Sequence, residues 1–285
     1  MTIRVANAPC SYGAFEVTVG VLPNVPGPEE VLAAITEAGY EGTELGPPGY
    51  LGHEEMLRAR LERFGLALVG AYVPIRLSER EHWDEDLRAL ELTLDLLDTA
   101  RGEDEARPVF ADAGPAAELS DAGWGRLADG VARAAELARA RGFEPTFHHH
   151  MGTHVERPGH VERLLETTDV PLLLDTGHLV LAGGDPAEAL RAWGPRINHL
   201  HVKDARTEVI RESADMSEAW LHGVFCELGA GDVDLAAFFA VLAESGYSGW
   251  LVVEQDWVPA TGEDAAEAIE AQERNRRWLR DNAGL

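Results

Sequence analysis

The feature that most constrains this chain is an alternation. Short runs rich in Val, Ile and Leu take turns with longer amphipathic runs along all 285 residues. The short runs are IRVANAP, GTELG, ALVGAYVP, PVFADAG, EPTFHHH, PLLLDTGH, INHLHVKDA and GWLVVEQD, eight in number. Between them lie runs such as PEEVLAAITEAG, HEEMLRARLERFG and WGRLADGVARAAELARARG. In the last of these, Leu127, Val131, Ala134 and Leu137 recur every three or four residues, the period of a helix. Gly39, Gly65, Gly142 and Gly246 follow such runs, where left-handed C-caps favour glycine. PLLLD and GWLVVE are apolar on both faces, as strands of a helix-covered parallel sheet are. Eight strand-then-helix units make the α/β class and predict a (β/α)8 TIM barrel, a single domain over residues 1–285. The rival is an open doubly wound sheet, but no Gly-rich dinucleotide fingerprint follows the first strand. The longest irregular stretch, about Arg206 to Asp234, exceeds a simple connection and is a candidate lid or active-site loop.

Composition narrows the partners. The chain is 45% hydrophobic, enough for a large core. Its 24 basic and 50 acidic residues give a net charge of −26, which repels nucleic acid and anionic membranes. Neither is expected as a partner. The two cysteines, Cys10 and Cys226, make no disulfide framework. MTIRVANAPC has no apolar signal-peptide core, and no apolar run reaches the length of a membrane span. The expectation is a cytoplasmic protein.

In such a barrel the chemistry sits at the C-terminal ends of the strands. Strand one ends near Asn7 and Cys10, and strand two ends at Glu44. Strand five ends in His148, His149 and His150; strand six ends at Asp175 and runs into His178. Strand seven carries His199 and His201, then Lys203, Asp204 and Arg206; strand eight ends at Glu254 and Asp256. One polar group at a barrel rim can be merely hydrogen-bonded. Adjacent strands five to eight each ending in His, Asp or Glu point instead to convergent N and O ligands for a divalent ion. No paired thiolate suggests a structural zinc site.

Strand alternation sorts the histidines. His148 and His150 share a face, and His149 points the other way, against the helix layer or to solvent. His199, His201 and Lys203 share a face. At most two residues of HHH can reach one ion, and His154 falls in the loop beyond.

In their order, GYEGTELG near residue 42, LLLDTGH at 172–178, INHLHVKDAR at 197–206, LGAGDVDL at 228–235 and GYSGWLVVEQD at 246–256 resemble the xylose-isomerase-like family of sugar isomerases and epimerases. The resemblance implies one divalent ion, held by Asp175 of a D-x-x-H element, His201, Glu254 and the strand-five position. That position carries a glutamate in the family and His148 here. The substrate-contacting histidine of D-x-x-H falls on His178. Epimerases of the family use two metal-proximal glutamates, so His148 tilts the reading away from simple epimerisation. NAPCSYGAFEVT at 7–18, TELGPPGYL at 43–51 and HHHMGT at 148–153 are similar to the inosose dehydratase branch, whose members remove water from 2-keto-myo-inositol.

The resemblance thus implies a hydro-lyase acting on a small polyol or keto-sugar. Its cofactor would be Mn²⁺ or Co²⁺, with Mg²⁺ and Zn²⁺ as alternatives, and self-association is left open. A ketose epimerase or isomerase is the alternative, and a silent polyol-binding barrel is the reading from another class. Elimination needs an α-proton base and an acid for the departing hydroxyl. Glu254 and His178 rank first as acid or base on resemblance, with Glu44 and His150 as further candidates. Lys203 either stabilises enolate charge or pairs with Asp204 at the rim. Arg206 is a structural residue or a hydroxyl contact. Cys10 is a buried inert thiol or a pocket residue. Trp83, Trp220 and Trp257 either wall a sugar ring or pack loops. Asp232 reads as the N-cap of the seventh helix, and Cys226 with Glu227 is placed near the pocket mouth.

Overall fold

A computed structural model describes residues 2–102, 106–259 and 265–285. Its strands are β1 (Ile3–Asn7), β2 (Gly42–Glu44), β3 (Ala67–Ile75), β4 (Arg107–Asp112), β5 (Thr146–His148), β6 (Leu172–Asp175), β7 (Ile197–Val202), β8 (Asp204–Ala205), β9 (Phe225–Cys226) and β10 (Gly249–Val253). Eight of them close a barrel in the order β1-β10-β7-β6-β5-β4-β3-β2. Every barrel pairing is parallel. The closing pair runs from Ile3 against Gly249 to Asn7 against Val253. That closure overturns the open-sheet rival.

The apolar runs become strands because both of their faces are covered. Leu172, Leu173 and Leu174 are all fully buried, as are Leu251, Val252 and Val253. In the helix Asp121–Ala140 the buried stripe contains Leu127, Val131, Ala134 and Ala138, and Ser120 caps its start by accepting from Gly123 N. Leu137 packs at the edge of that stripe, half-buried. Gly39, Gly65 and Gly246 hold the left-handed C-caps that their sequence positions predict. Among the described residues, no helix is long and apolar enough to cross a membrane.

The Arg206–Asp234 stretch is more ordered than its sequence suggests. It contains the helices Thr207–Glu212 and Met216–Leu221, and β9, which pairs antiparallel with β8 just before it. Asp204 organises its far end. The buried carboxylate accepts from the backbone N–H groups of Gly229, Gly231 and Val233, and from its own neighbour Ala205. This explains the GAGD turn. Gly229 needs a φ of 84°, and a Cβ at Gly231 would meet Ala205 O at 2.6 Å. Asp232 is not the helix cap. It accepts from Thr207 N and Oγ1, and Asp234 caps the helix Leu235–Ser245 by accepting from Ala237 N. The distinction is one of reach: a cap must bond N2 or N3 of its own helix.

Candidate active site

A cavity of about 310 Å³ opens at the C-terminal end of the barrel, walled by Cys10, Glu44, Tyr72, His148, His150, His201, Lys203, Trp220, Glu254 and Asp256. Parallel register brings these groups together. Asp175 pairs with His201 across β6 and β7, and Ala111 with His148 across β4 and β5. Because neighbouring strands are staggered, residues far apart in sequence end at one level.

His201 stands at the centre. Its Nε2 lies 3.0 Å from Glu44 Oε1, which also receives His199 Nε2 at 3.2 Å. Its Nδ1 lies 2.9 Å from Glu254 Oε2 and 3.8 Å from Asp175 Oδ2. Burial opposes a charge on this ring, but the Glu254 and Glu44 carboxylates outweigh it and hold the imidazole well above its ordinary value. Burial likewise opposes charge on Glu254, and His201 with Lys203 reverses that to hold it well below the carboxylate range.

Asp175 is fixed by the helix it starts. Its Oδ1 caps Thr176–Leu181 by accepting from His178 N at 2.8 Å. The three-residue spacing of D-x-x-H is therefore the spacing from N-cap to N3. This leaves Asp175 Oδ2 buried without a hydrogen bond among the described residues, 3.9 Å from His148 Nε2. His148 is held neutral, first by burial and then by the neighbouring imidazoles. Asp175 Oδ2, His148 and His201 thus face one another across gaps wider than a hydrogen bond. Such gaps are the width that ligands on one ion leave between them. A buried carboxylate oxygen without a hydrogen bond is costly, and a metal ion at this point would relieve it. The donor set, two imidazoles and a carboxylate with Glu254 adjoining, fits a divalent metal.

Lys203 sits in the same wall. Its Nζ is 2.9 Å from Asp256 Oδ2, 3.0 Å from Glu254 Oε2 and 3.5 Å from Asp175 Oδ2, and 4.6 Å above the Phe225 ring. Burial would lower its proton affinity, yet these carboxylates raise it well above the ordinary lysine value. The alternative pairing with Asp204 does not form, because Asp204 is occupied by the backbone of the GAGD turn. Thr176 pins Lys203 in place: its hydroxyl donates to Lys203 O and accepts from Lys203 N. Three carboxyl groups, those of Asp175, Glu254 and Asp256, converge on one ammonium, and Glu44 adds a fourth beside His201, leaving room in the charge balance for a further cation.

β5 ends at His148, two residues short of the predicted strand end, yet the three histidines divide as alternation predicts. His148 and His150 face the cavity. His149 is fully buried on the other side, where its Nε2 accepts from Asp175 N at 3.2 Å. Burial drives its proton affinity down to about 4. His178 packs behind His150, with ring centroids 3.9 Å apart, and burial followed by His150 keeps it well below its ordinary value. His154 leaves the site: its Nδ1 pairs with Asp112 Oδ2 at 2.8 Å, and its backbone N donates to the same oxygen.

Other expectations need correction. Glu227 faces away from the cavity and pairs with Arg274, and Cys226 is buried in the β8–β9 pair. Trp83 packs beneath the rim and donates to Leu77 O. Trp220 does reach the cavity, stacked edge-on against Phe15 at 4.6 Å and donating to Asp256 O. Arg206 makes a long contact with Gly223 O, the structural of its two readings. Cys10 lines the cavity with Sγ 3.4 Å from Glu254 Oε1, and burial raises its thiol well above the ordinary value, so it is a poor nucleophile. Sequence reasoning missed Tyr72, Phe15 and the role of Asp256 as a partner of Lys203. The strand-end signal was present for Asp256, two residues beyond Glu254 and therefore on the same face.

Comparison with known proteins agrees with the barrel fold. Residues 32–282 match the family model described as xylose isomerase-like TIM barrel. An inosose dehydratase of Geobacillus kaustophilus (strain HTA426) is 33% identical over 269 residues, covering 86% of this chain and 85% of that one. An inosose dehydratase of Bacillus thuringiensis (strain Al Hakam) is 31% identical over 284 residues, covering 90% of each. The solved structure of an IolI protein with a bound zinc atom superposes with a TM-score of 0.73 at 16% identity, covering 99% of this chain and 98% of that one.

Proposed function

The chain belongs to the xylose isomerase-like TIM-barrel family, and from that premise we propose that it is a divalent-metal-dependent dehydratase that removes water from a keto-inositol of the 2-keto-myo-inositol type. Relatives named inosose dehydratase make it an enzyme of the lyase class, with isomerase or epimerase chemistry as the alternative. The single observation that carries the finer reading is the imidazole wall at the end of β5. His148 stands where a two-glutamate epimerase needs a carboxylate, with His150 and His178 beside it, and Glu254 lines the same cavity from the end of β10.

In this reading His148, Asp175, His201 and Glu254 hold the metal, Mn²⁺ or Co²⁺ first. When bound, the ion supplies a Lewis acid that polarises the substrate ketone and makes the α-proton acidic. The rest is done by the chain. Glu44 takes the Nε2–H of His201 and so turns the Nδ1 lone pair toward Asp175 and Glu254. Lys203, held by Asp256, places a fixed positive charge beside the developing enolate. His150, His178 and Glu254 are the groups available to carry protons. Phe15 and Trp220 close the outer wall, which excludes water from a reactive enolate.

The test is incubation of purified protein with 2-keto-myo-inositol and Mn²⁺ or Co²⁺. Growth of the ultraviolet absorbance of a conjugated dione supports dehydration. Interconversion of ketose stereoisomers without dione makes it an epimerase instead.

A further inference from the structure

The backbone of Met151 gives two packed histidines opposite tautomers. The Met151 carbonyl lies 2.8 Å from His150 Nδ1. A carbonyl only accepts, so His150 carries its hydrogen on Nδ1 and its Nε2 is a bare acceptor. The Met151 N–H points at His178 Nδ1 from 3.4 Å. An N–H only donates, so the His178 hydrogen sits on Nε2. Of the two rings, His150 lines the cavity, whereas His178 is buried behind it. The His150 loop is itself held: His150 N donates to Val155 O, and Thr153 Oγ1 donates to His150 O. A fixed imidazole with its hydrogen turned to the backbone and its other nitrogen free is arranged as a base.

The substrate chemistry asks for such a group on one side only. Oxidising the carbon of myo-inositol that bears its axial hydroxyl leaves the other hydroxyls equatorial. The α-hydrogen and the β-hydroxyl then lie on the same ring face, so elimination between them is syn. One group on that face can serve both steps.

We propose that His150 is that group, acting first as base and then as acid. This rests on the dehydration reading above. His150 Nε2 takes the α-proton, and the C–H electron pair enters the enolate. As the enolate collapses, a carbon–carbon double bond forms and the β C–O bond breaks with its electron pair on oxygen. The same Nε2–H delivers its proton to that oxygen, and water leaves. His150 returns to its starting tautomer, the enol product relaxes to a dione, and no co-reactant is consumed. The Met151 carbonyl holds Nδ1–H throughout, and His178 is a positioning residue that backs the ring at 3.9 Å.

Two measurements test this. In the metal-free chain labelled with ¹⁵N-histidine, NMR should show the His150 signal, identified by its loss in His150→Gln, as the Nδ1-protonated tautomer. A His150 protonated on Nε2 overturns the proposal. In D₂O with the metal-loaded enzyme, the parent should exchange the α-hydrogen of the remaining keto-inositol and form dione. His150→Gln should lose both by about 100-fold or more. His178→Gln should lower both together by a smaller factor, with the ratio of exchange to dione kept. Continued exchange in His150→Gln with dione lost means another base, and overturns the dual role. If the parent forms no dione at all, the dehydratase reading fails, and the tautomer spectrum still decides whether His150 is set as a base.

Discussion

Replacing Glu44 should weaken metal binding although no metal–carboxylate contact is lost. Glu44 Oε1 is shared by His201 Nε2 at 3.0 Å and His199 Nε2 at 3.2 Å, all of them buried. The carboxylate fixes the His201 hydrogen on Nε2 and leaves Nδ1 as a ligand facing Asp175 and Glu254. Partners of this kind are worth about 10- to 100-fold in metal affinity, or about 1.4–2.8 kcal/mol. Glu44→Gln keeps an oxygen that can accept from both rings but removes the negative charge that strengthens those hydrogen bonds. It should sit near the tenfold end. Glu44→Ala leaves two buried N–H groups without partners, each costing about 1–3 kcal/mol of folding stability, and should sit near the hundredfold end. Calorimetric titration of the metal-free chain with Mn²⁺ or Co²⁺ reads the affinity, and a denaturant melt reads the stability. Unchanged affinity in both variants would refute the claim that Glu44 acts through His201. A collapse as large as that of His201→Ala would make Glu44 a ligand instead.

Three further outcomes follow from particular contacts. His149→Ala should leave metal affinity within about threefold, because the ring faces away from the cavity. It should lower stability by about 1–3 kcal/mol through the orphaned Asp175 N–H; His201→Ala should lower affinity by about 100-fold or more, and equal losses from the two would sink the division of faces. Hydrogen bonding to Asp112 raises His154 above its ordinary value, so that pair stabilises fully below the unfolded histidine value of about 6.5 and its contribution fades as pH climbs through the raised folded value. His154→Gln should therefore cost denaturant midpoint at pH 5.5 and much less at pH 9, and a larger cost at pH 9 would reverse the argument. Gly231→Ala should lose about 1–3 kcal/mol, because its Cβ would meet Ala205 O at 2.6 Å; a melt identical to the parent would show that the GAGD turn yields easily.

The barrel was legible because period and count agree. Apolar runs such as PLLLD and helical stripes such as Leu127–Val131–Ala134 announce their elements locally. The facing of His148 and His150 was legible for the same reason, since alternation along one strand is a local property. Contacts that depend on distant partners were not. Nothing near Glu44 in sequence announces that it reaches His199 and His201, more than 150 residues away. Lys203 could be paired with its neighbour Asp204 on paper, but the GAGD turn claims Asp204, and Asp256 arrives from β10. Helices of six residues, such as Thr207–Glu212 and Met216–Leu221, are too short to show a period, so their stretch read as irregular. The tautomers of His150 and His178 depend on the turn taken at Met151, which no strand pattern encodes.

The central claim is that this cavity removes water from a keto-inositol with a metal held by His148, Asp175, His201 and Glu254. Its most direct test is to titrate Mn²⁺ or Co²⁺ into the metal-free chain in the presence of 2-keto-myo-inositol while following dione absorbance, with Asp175→Asn in parallel. The account predicts no dione without metal, a rate that rises to a plateau at one equivalent per chain, and little or no response from Asp175→Asn. Dione formed at the full rate by the metal-free chain, or by Asp175→Asn, would contradict it.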